Sequence, residues 1–166
     1  MTAPLDASDA KEAGQLAAAR GLRKQGSALW EQGELARARL CYEQALAIYE
    51  QALGTGHPAI ALILNNLGDL LRCLGDLPAA ERALGRALAI QDAMLDEDYP
   101  DKALTLNNLG ALLQARGDRA GARHTYERAL AIFREWYSPD DPHIARIVDH
   151  LAALGPGRDD DEDEEP

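Results

Sequence analysis

The stretch Leu-Asn-Asn-Leu-Gly at residues 64–68 occurs again, unchanged, at residues 106–110. The two copies are 42 residues apart, and the longer segments around them, residues 61–92 and 103–134, are identical at 17 of 32 aligned positions. Repetition at a fixed period of this length is typical of repeat architectures. Further columns have the same spacing and extend the pattern toward the N-terminus, which indicates three copies: Gly33, Gly75, Gly117; Ala45, Ala87, Ala129; Ile48, Ile90, Ile132.

Each copy contains two helical patterns separated by a short turn. In the second copy, leucines spaced three and four residues apart predict a helix, A, that ends at Gly75. Asp76 is a predicted N-cap, Pro78 suits the first turn, and an apolar face then predicts a second helix, B, that extends to about Leu95. Since only a few residues join the two helices, each copy is predicted to be an antiparallel αα-hairpin.

Small residues recur where two helices would have to approach closely. Large residues lie between them, such as Leu84 in the second copy and Tyr126 in the third. The alternation predicts close packing of helix A on helix B within each copy. The small positions are Gly26, Ala38 and Ala45, then Gly68, Ala80 and Ala87, then Gly110, Ala122 and Ala129.

This pattern resembles the tetratricopeptide repeat (TPR) over about residues 19–155. The 42-residue period, the Leu-Asn-Asn-Leu-Gly string, the Ala-Leu-Ala-Ile run at residues 87–90 and the Leu-Gly-Thr-Gly-His-Pro connection at residues 53–58 are similar to the variety found in kinesin light chains and many bacterial repeat proteins. The resemblance implies an all-α, right-handed solenoid of αα-hairpins with about seven helices.

We expect a TPR-like domain over residues 9–155, with repeats at about 19–58, 61–100 and 103–142 and a capping helix at 143–154 that covers the apolar end. Asp9 followed by Glu12 is typical of a capping box that opens the first helix, which we expect to bend at Gly21. Residues 1–8 and the acidic residues 156–166 are expected to be disordered.

Charge and composition exclude several classes of function. The chain has 17 Lys and Arg against 28 Asp and Glu, and seven of the acids lie in the last eight residues. This balance argues against nucleic acid or an anionic membrane as the main partner. The longest apolar run is residues 59–64, the N-terminus lacks the positive charge of a signal peptide, and there are only two cysteines. We expect a cytoplasmic protein, and the composition suggests a bacterial one.

TPR-like stacks bind peptide segments in a concave groove lined by the A helices, so the resemblance implies a groove here. Asn66 and Asn108 are the strongest candidates, because an amide offers both a donor and an acceptor to a peptide backbone. The alternative is that these side chains only orient neighbouring helices or face solvent. The full set of expected groove residues is Arg20, Arg23, Ser27 and Trp30, then Asn65, Asn66, Asp69 and Arg72, then Asn107, Asn108, Ala111 and Gln114.

The basic residues of this set could bind carboxylates of an acidic peptide, or could simply be exposed helix charges. TPR domains that clamp a C-terminal carboxylate have Lys and Asn in the first helix where this chain has Arg23 and Ser27. A clamp of that kind is therefore not expected. Trp30 could form an aromatic platform in the groove or pack against the preceding helix.

The sequence predicts a non-enzymatic adaptor that recognises another protein. It contains no His-Glu-x-x-His spacing, no Cys-x-x-Cys pair, no phosphate-binding glycine loop and no nucleophile elbow, so we expect no catalytic residues, metal or cofactor. Two alternatives stay open. The chain could self-associate, or it could be a regulatory element of a larger signalling system, with its acidic tail competing for the groove or serving only solubility.

Overall fold

The computed structural model describes residues 7–94 and 100–155, and all the regular secondary structure in these two ranges is helical. The prediction of an all-α fold with about seven helices is confirmed for these residues. The helices are α1 (Ala7–Glu31), α2 (Leu35–Leu53), α3 (Pro58–Cys73), α4 (Leu77–Met94), α5 (Pro100–Ala115), α6 (Arg119–Trp136) and α7 (Pro142–Ala153).

The helices pair as the repeat predicts. Helices α1 and α2, α3 and α4, and α5 and α6 each pack against one another as A–B hairpins, and α7 packs on α6. The chain divides into two compact units, Met1–Met94 and Leu95–Pro166. The described part of the first unit therefore holds two complete hairpins, and that of the second holds one hairpin and α7.

The turn between helices A and B is built in the same way in each hairpin. A glycine with a positive φ reverses the chain: Gly33 at 78°, Gly75 at 80° and Gly117 at 84°. Only glycine adopts this region without a steric cost from a Cβ atom. The predicted cap at Asp76 is confirmed, since its Oδ1 accepts a hydrogen bond from the Ala79 backbone N–H at 3.2 Å.

The predicted close contact of helix A with helix B is confirmed in all three hairpins. A Cβ atom placed on Gly26 would lie 2.8 Å from the ring of Tyr42, and one on Gly68 would lie 2.6 Å from Leu84 Cγ. On Gly110 it would lie 2.7 Å from the Tyr126 ring. Tyr42, Leu84 and Tyr126 are themselves fully buried. In each hairpin, one large side chain of helix B therefore packs directly against the backbone of helix A at a glycine.

The N-terminal helix differs from its prediction. Helix α1 begins at Ala7, two residues before the predicted cap Asp9, and, as predicted, it runs through Gly21 into helix A of the first repeat. The reason is the local composition: five of residues 7–18 are alanine, the residue with the highest helix propensity. The predicted disordered N-terminus at 1–8 lies largely outside the described residues, and the acidic tail at 156–166 lies entirely outside them.

Among the described helices, none is both long enough and apolar enough to cross a membrane.

Candidate functional site

In the first unit, polar groups of helices α1 and α2 meet at the hydroxyl of Tyr42. This hydroxyl lies 3.0 Å from Ser27 Oγ. Ser27 Oγ donates its own proton to the backbone carbonyl of Arg23 at 3.2 Å, so the Tyr42 hydroxyl is the donor toward Ser27. Burial raises the pKa of Tyr42 above its ordinary value, and the hydrogen bond to Ser27 partly opposes this. The buried Tyr42 side chain is therefore a neutral phenol that is hydrogen-bonded to Ser27.

Charged groups on both A helices of the unit, α1 and α3, influence the pKa of the same hydroxyl. The positive charge of Arg23 lowers the pKa of Tyr42, whereas the negative charge of Asp69 raises it. Asp69 Oδ1 accepts hydrogen bonds from Arg72 Nε at 3.0 Å and from Arg72 Nη2 at 2.7 Å. The two side chains are only 24% and 28% exposed. We call Arg23, Ser27, Tyr42, Asp69 and Arg72 the Tyr42 cluster.

Cys73 adjoins the Tyr42 cluster. Arg72 Nη2 lies 3.5 Å from Cys73 Sγ. Burial raises the pKa of the Cys73 thiol, and the charge of Arg72 partly counteracts it. Because a raised pKa disfavours the thiolate, the geometry does not activate this thiol as a nucleophile. Cys41 and Cys73 are both free thiols.

Asn65 and Asn66 lie on different sides of α3. Asn66 is half-buried, but only 6% of Asn65 is exposed. Consecutive helix positions differ by about 100° around the axis, so two adjacent residues do not face the same surface. Asn65 is therefore almost fully buried, and its place on the groove face remains a prediction. Of the other residues expected in this unit, Arg20 is exposed and Trp30 is half-buried at the end of α1.

The second unit repeats this arrangement around Tyr126. The Tyr126 hydroxyl donates a hydrogen bond to Gln114 Oε1 at 3.1 Å, and the Tyr126 ring lies 5.0 Å from the ring of His150 on α7. Asn108 and Ala111 are half-buried on α5, the A helix that also carries Gln114. Three of the four expected positions of this unit are thus on its partly exposed surface.

Asn107 is the fourth expected position, and its place in the groove also remains a prediction. Only 3% of Asn107 is exposed, and its Nδ2 donates to Asn108 Oδ1 at 3.4 Å. The exposed position of each pair is the second asparagine, as it is in the first unit. The duplicated string therefore supplies one inward-facing and one outward-facing amide per copy.

Sequence reasoning missed the two buried tyrosine hydroxyls as hydrogen-bond donors to polar residues of the A helices. Tyr42 and Tyr126 are two periods apart, and each follows the helix-facing glycine of its own hairpin by 16 residues. This spacing marked them as packing residues. The available signal was the residue type. Tyrosine carries a hydroxyl that can bond to a polar residue of helix A, whereas Leu84, at the same position of the second copy, carries none.

Within residues 7–94 and 100–155, no group of three or more His, Cys, Asp or Glu side chains is arranged to hold a metal ion.

Comparison with known families and structures identifies relatives. A family described as tetratricopeptide repeat matches residues 15–93 and 101–154. No curated protein matches. Among solved structures, BtubC (BKLC) from P. vanneervenii is similar with a TM-score of 0.73 and 26% identity over 82% of this chain and 54% of BtubC.

Two further solved structures are similar. A kinesin light chain-like protein of Podosopora anserina with nearly identical TPR-like repeats has a TM-score of 0.65 and 21% identity over 82% of this chain and 64% of that one. The first TPR of Spaghetti (RPAP3), bound to the HSP90 peptide SRMEEVD, has a TM-score of 0.59 and 19% identity over 82% and 92%. The present chain thus matches between about half and two thirds of the length of BtubC and of the Podosopora protein.

Proposed function

Because the chain belongs to the tetratricopeptide repeat family, we propose that it is a non-enzymatic interaction module that binds a peptide segment of a partner protein. The proposed surfaces are the partly exposed polar faces of the A helices, α1 and α3 in the first unit and α5 in the second. In this proposal the module works as an adaptor in the cytoplasm.

The observation that carries the proposal is the Tyr42 cluster. Two hydrogen-bonded hydroxyls of α1 and α2, Ser27 and Tyr42, and the Asp69–Arg72 ion pair of α3 lie in one unit, where the charges of Arg23 and Asp69 act on the pKa of Tyr42. Groups that are already ordered by one another lose little conformational freedom when a ligand binds. Asn66 is half-buried on α3, three residues before Asp69. A peptide on this face would find both charge and an amide able to pair with its backbone.

An acidic peptide suits this surface best. Arg23 and Arg72 provide guanidinium groups, which bind carboxylates through charge-assisted hydrogen bonds. The similar Spaghetti (RPAP3) domain is bound to the peptide SRMEEVD, which contains acidic residues. In the present chain Arg23 and Ser27 replace the Lys and Asn of carboxylate-clamping TPR domains, and Ser27 is hydrogen-bonded to Tyr42. We therefore propose recognition of internal acidic side chains rather than of a chain terminus.

A display selection tests this proposal. Random peptides would be selected on the full chain, and the affinity of the best peptide would be measured by fluorescence anisotropy. The Asn66→Ala, Asn108→Ala double variant should bind it at least about tenfold more weakly, because each substitution removes hydrogen bonds worth about 1 kcal/mol. Circular dichroism would establish that the variant is folded.

The matched control is Arg82→Ala on the exposed side of α4, which should leave the affinity unchanged. If the peptide binds the double variant as tightly as the wild type, the proposed surface is wrong. If the selection returns acidic peptides that the double variant loses, both the surface and the ligand class are supported.

A further inference from the structure

Helix α7 has the register of an A helix but has no B helix of its own among the described residues. Each A helix carries three small or apolar residues on the side that faces its B helix. In α3 these are Ala61, Leu64 and Gly68, and all three are buried. The equivalent residues of α7, 84 positions later, are Ala145, Val148 and Ala152, and all three are exposed, Val148 by 42%. The face that α4 covers on α3 is therefore open on α7.

The open face borders a cavity in the second unit. The cavity has a volume of about 580 Å³, and five residues of its wall are Tyr137, Pro139, Ile144, Ala145 and Val148. Arg134 and Asp149 complete the wall and supply one charge of each sign. An apolar depression of this size, flanked by a few charged groups, has the character of a binding site.

The first unit shows what occupies the corresponding position there. Arg86 on α4 forms an ion pair with Glu50 on α2 at 2.5 Å, and Arg86 Nη2 also donates to the Thr55 carbonyl at 3.3 Å. These contacts join one B helix to the next. Counting two periods forward, Glu50 corresponds to Arg134 and Thr55 to Pro139, and both belong to the cavity wall. The cavity thus lies where the B helix of a fourth hairpin would pack on α6.

We propose that this surface binds an amphipathic helix of a partner protein, which takes the place of a fourth B helix. We call the surface formed by Arg134, Tyr137, Ala145, Val148 and Ala152 the α7 seat. Its residues differ from those of the polar faces of α1, α3 and α5, and its occupancy does not depend on the function proposed there.

The charged residue of the α7 seat, Arg134, predicts the charge that the partner helix should carry. In the first unit an acidic residue on the earlier B helix, Glu50, meets a basic residue on the later one, Arg86. At the α7 seat the earlier position is Arg134, so the sign is reversed. The incoming helix should carry Glu or Asp at the position that corresponds to Arg86.

Ala152 limits the size of the partner side chain that can pack against it. At the equivalent positions of α1, α3 and α5 the helix has glycine, and a Cβ there would approach the opposite Tyr or Leu to within 2.6–2.8 Å. Helix α7 already has a Cβ at this position, in Ala152. The incoming helix therefore needs a small residue where the other B helices have Tyr42, Leu84 or Tyr126, two positions before its acidic residue.

The rest of this sequence does not supply the occupant. Residues 156–166 contain only Gly, Pro, Arg, Asp and Glu, so they offer no aliphatic face for Val148. The apolar faces of α2, α4 and α6 are already buried in their own hairpins. A partner helix with a small residue and an acid at the stated spacing fits the seat.

A peptide derived from this chain's own α4 provides the probe. The peptide comprises residues 77–94 with Leu84→Ala and Arg86→Glu, with acetylated and amidated ends and a fluorescent label. Its binding to the full chain would be measured by fluorescence anisotropy beside a peptide that keeps Arg86. The wild type should bind the Glu peptide about threefold to tenfold more tightly than the Arg peptide, as expected for a partly exposed ion pair.

Three variants of the chain locate the binding. Arg134→Glu should reverse the preference between the two peptides, and Val148→Glu should weaken both by more than about tenfold, because it places a charge in an apolar contact. Arg82→Glu changes the net charge equally on exposed surface of α4 and should change neither affinity. The Asn66→Ala, Asn108→Ala variant should bind the probe as the wild type does, which separates this proposal from the preceding one.

Saturable binding with a preference that Arg134→Glu reverses supports the proposal. The absence of saturable binding by either peptide overturns it, as does a preference that Arg134→Glu leaves unchanged. Sedimentation equilibrium provides the last test. A dimer of the wild type that Val148→Glu abolishes would assign the α7 seat to a second copy of the chain and overturn the partner helix.

Discussion

A missing side chain is the residue-scale feature on which each hairpin depends. Gly26, Gly68 and Gly110 let one large side chain of helix B contact the backbone of helix A. Glycine costs a helix about 1 kcal/mol relative to alanine, so its presence in the middle of three helices requires a compensating contact. The buried Tyr42, Leu84 and Tyr126 side chains provide that contact.

We expect Gly68→Ala to destabilise the chain by about 1–3 kcal/mol, because the new Cβ would lie 2.6 Å from Leu84 Cγ and overpack the hairpin. Urea denaturation followed by circular dichroism measures the change. Gly85→Ala is the matched control, since Gly85 is exposed in α4 with no atom within 4 Å of its added Cβ. That substitution should stabilise by about 0.5–1 kcal/mol. Equal effects of the two substitutions would refute the packing role of Gly68.

Tyr42 gives the free energy of unfolding a dependence on alkaline pH. Since burial raises its pKa, the folded chain retains the phenolic proton to a higher pH than the unfolded chain. The stabilisation is complete below the unfolded pKa of about 10 and is lost as the pH rises through the folded pKa. Tyr42→Phe should cost about 0.5–1.5 kcal/mol at pH 8, where it removes the hydrogen bond to Ser27.

The difference in stability between wild type and Tyr42→Phe should then shrink above about pH 10, because only the wild type has a proton to lose at this position. Urea titrations at pH 8 and at a pH above 10 provide the measurement. A difference that is the same at both values would show that Tyr42 ionises alike in the folded and unfolded states.

The residue-scale roles were only partly predictable from the sequence. The helix-facing glycines followed from their period, because packing constraints repeat exactly when the fold does. The exposure of adjacent asparagines did not follow, since the sequence fixes the angle between Asn65 and Asn66 but not which of them faces inward. That choice depends on how α3 is rotated against its neighbours, which only tertiary packing determines.

The turn between helices A and B is the feature that matters most at the scale of the element. Gly75 has a φ of 80° and donates its N–H to the carbonyl of Arg72. Gly75→Ala should cost about 1–2 kcal/mol, because a Cβ is disfavoured in this region of φ. Thermal unfolding would measure it. Gly14→Ala, in a helical part of α1 with open space around the added Cβ, should instead stabilise.

Gly75→Asn separates backbone strain from simple loss of glycine. Asparagine adopts positive φ more readily than alanine, so it should restore part of the lost stability. If Asn is as destabilising as Ala, the turn is limited by the space around the side chain rather than by φ.

Element boundaries were predicted well where polar caps mark them and poorly where they do not. Asp118 caps α6 through a hydrogen bond from the Gly121 N–H at 2.9 Å, as its equivalent Asp76 does for α4. At the start of α1 the sequence offers Asp9 as a cap, but Ala7, a residue of high helix propensity, lies two positions before it. High intrinsic helix propensity outweighed the cap signal, and the helix begins at Ala7.

The charge distribution matters at the scale of the whole molecule, because most of the net charge of −11 lies in the last eight residues. If the proposed surface binds acidic peptides, this segment competes with them electrostatically. Deletion of residues 159–166 should then raise the affinity for a selected acidic peptide at low salt. The gain should disappear near 1 M salt, where charges are screened beyond about 3 Å.

The control for this deletion keeps the length and removes the charge, with every Asp and Glu of residues 159–165 replaced by Asn or Gln. It should raise the affinity as much as the deletion does. An affinity that neither change alters at low salt would leave the segment without a role in ligand binding.

The three turn glycines have a consequence for how such a gene can change in length. Their φ values lie between 78° and 84°, and each belongs to a hairpin in which the glycine of helix A and the large side chain that it contacts come from the same copy. A recombination event that duplicates or removes 42 residues therefore adds or removes one turn glycine and one helix-facing glycine together with its contact, wherever within the copy the DNA strands break. Gain and loss of repeats by unequal crossing-over would thus preserve the turn glycine, the helix cap and the helix-facing glycine in each remaining copy.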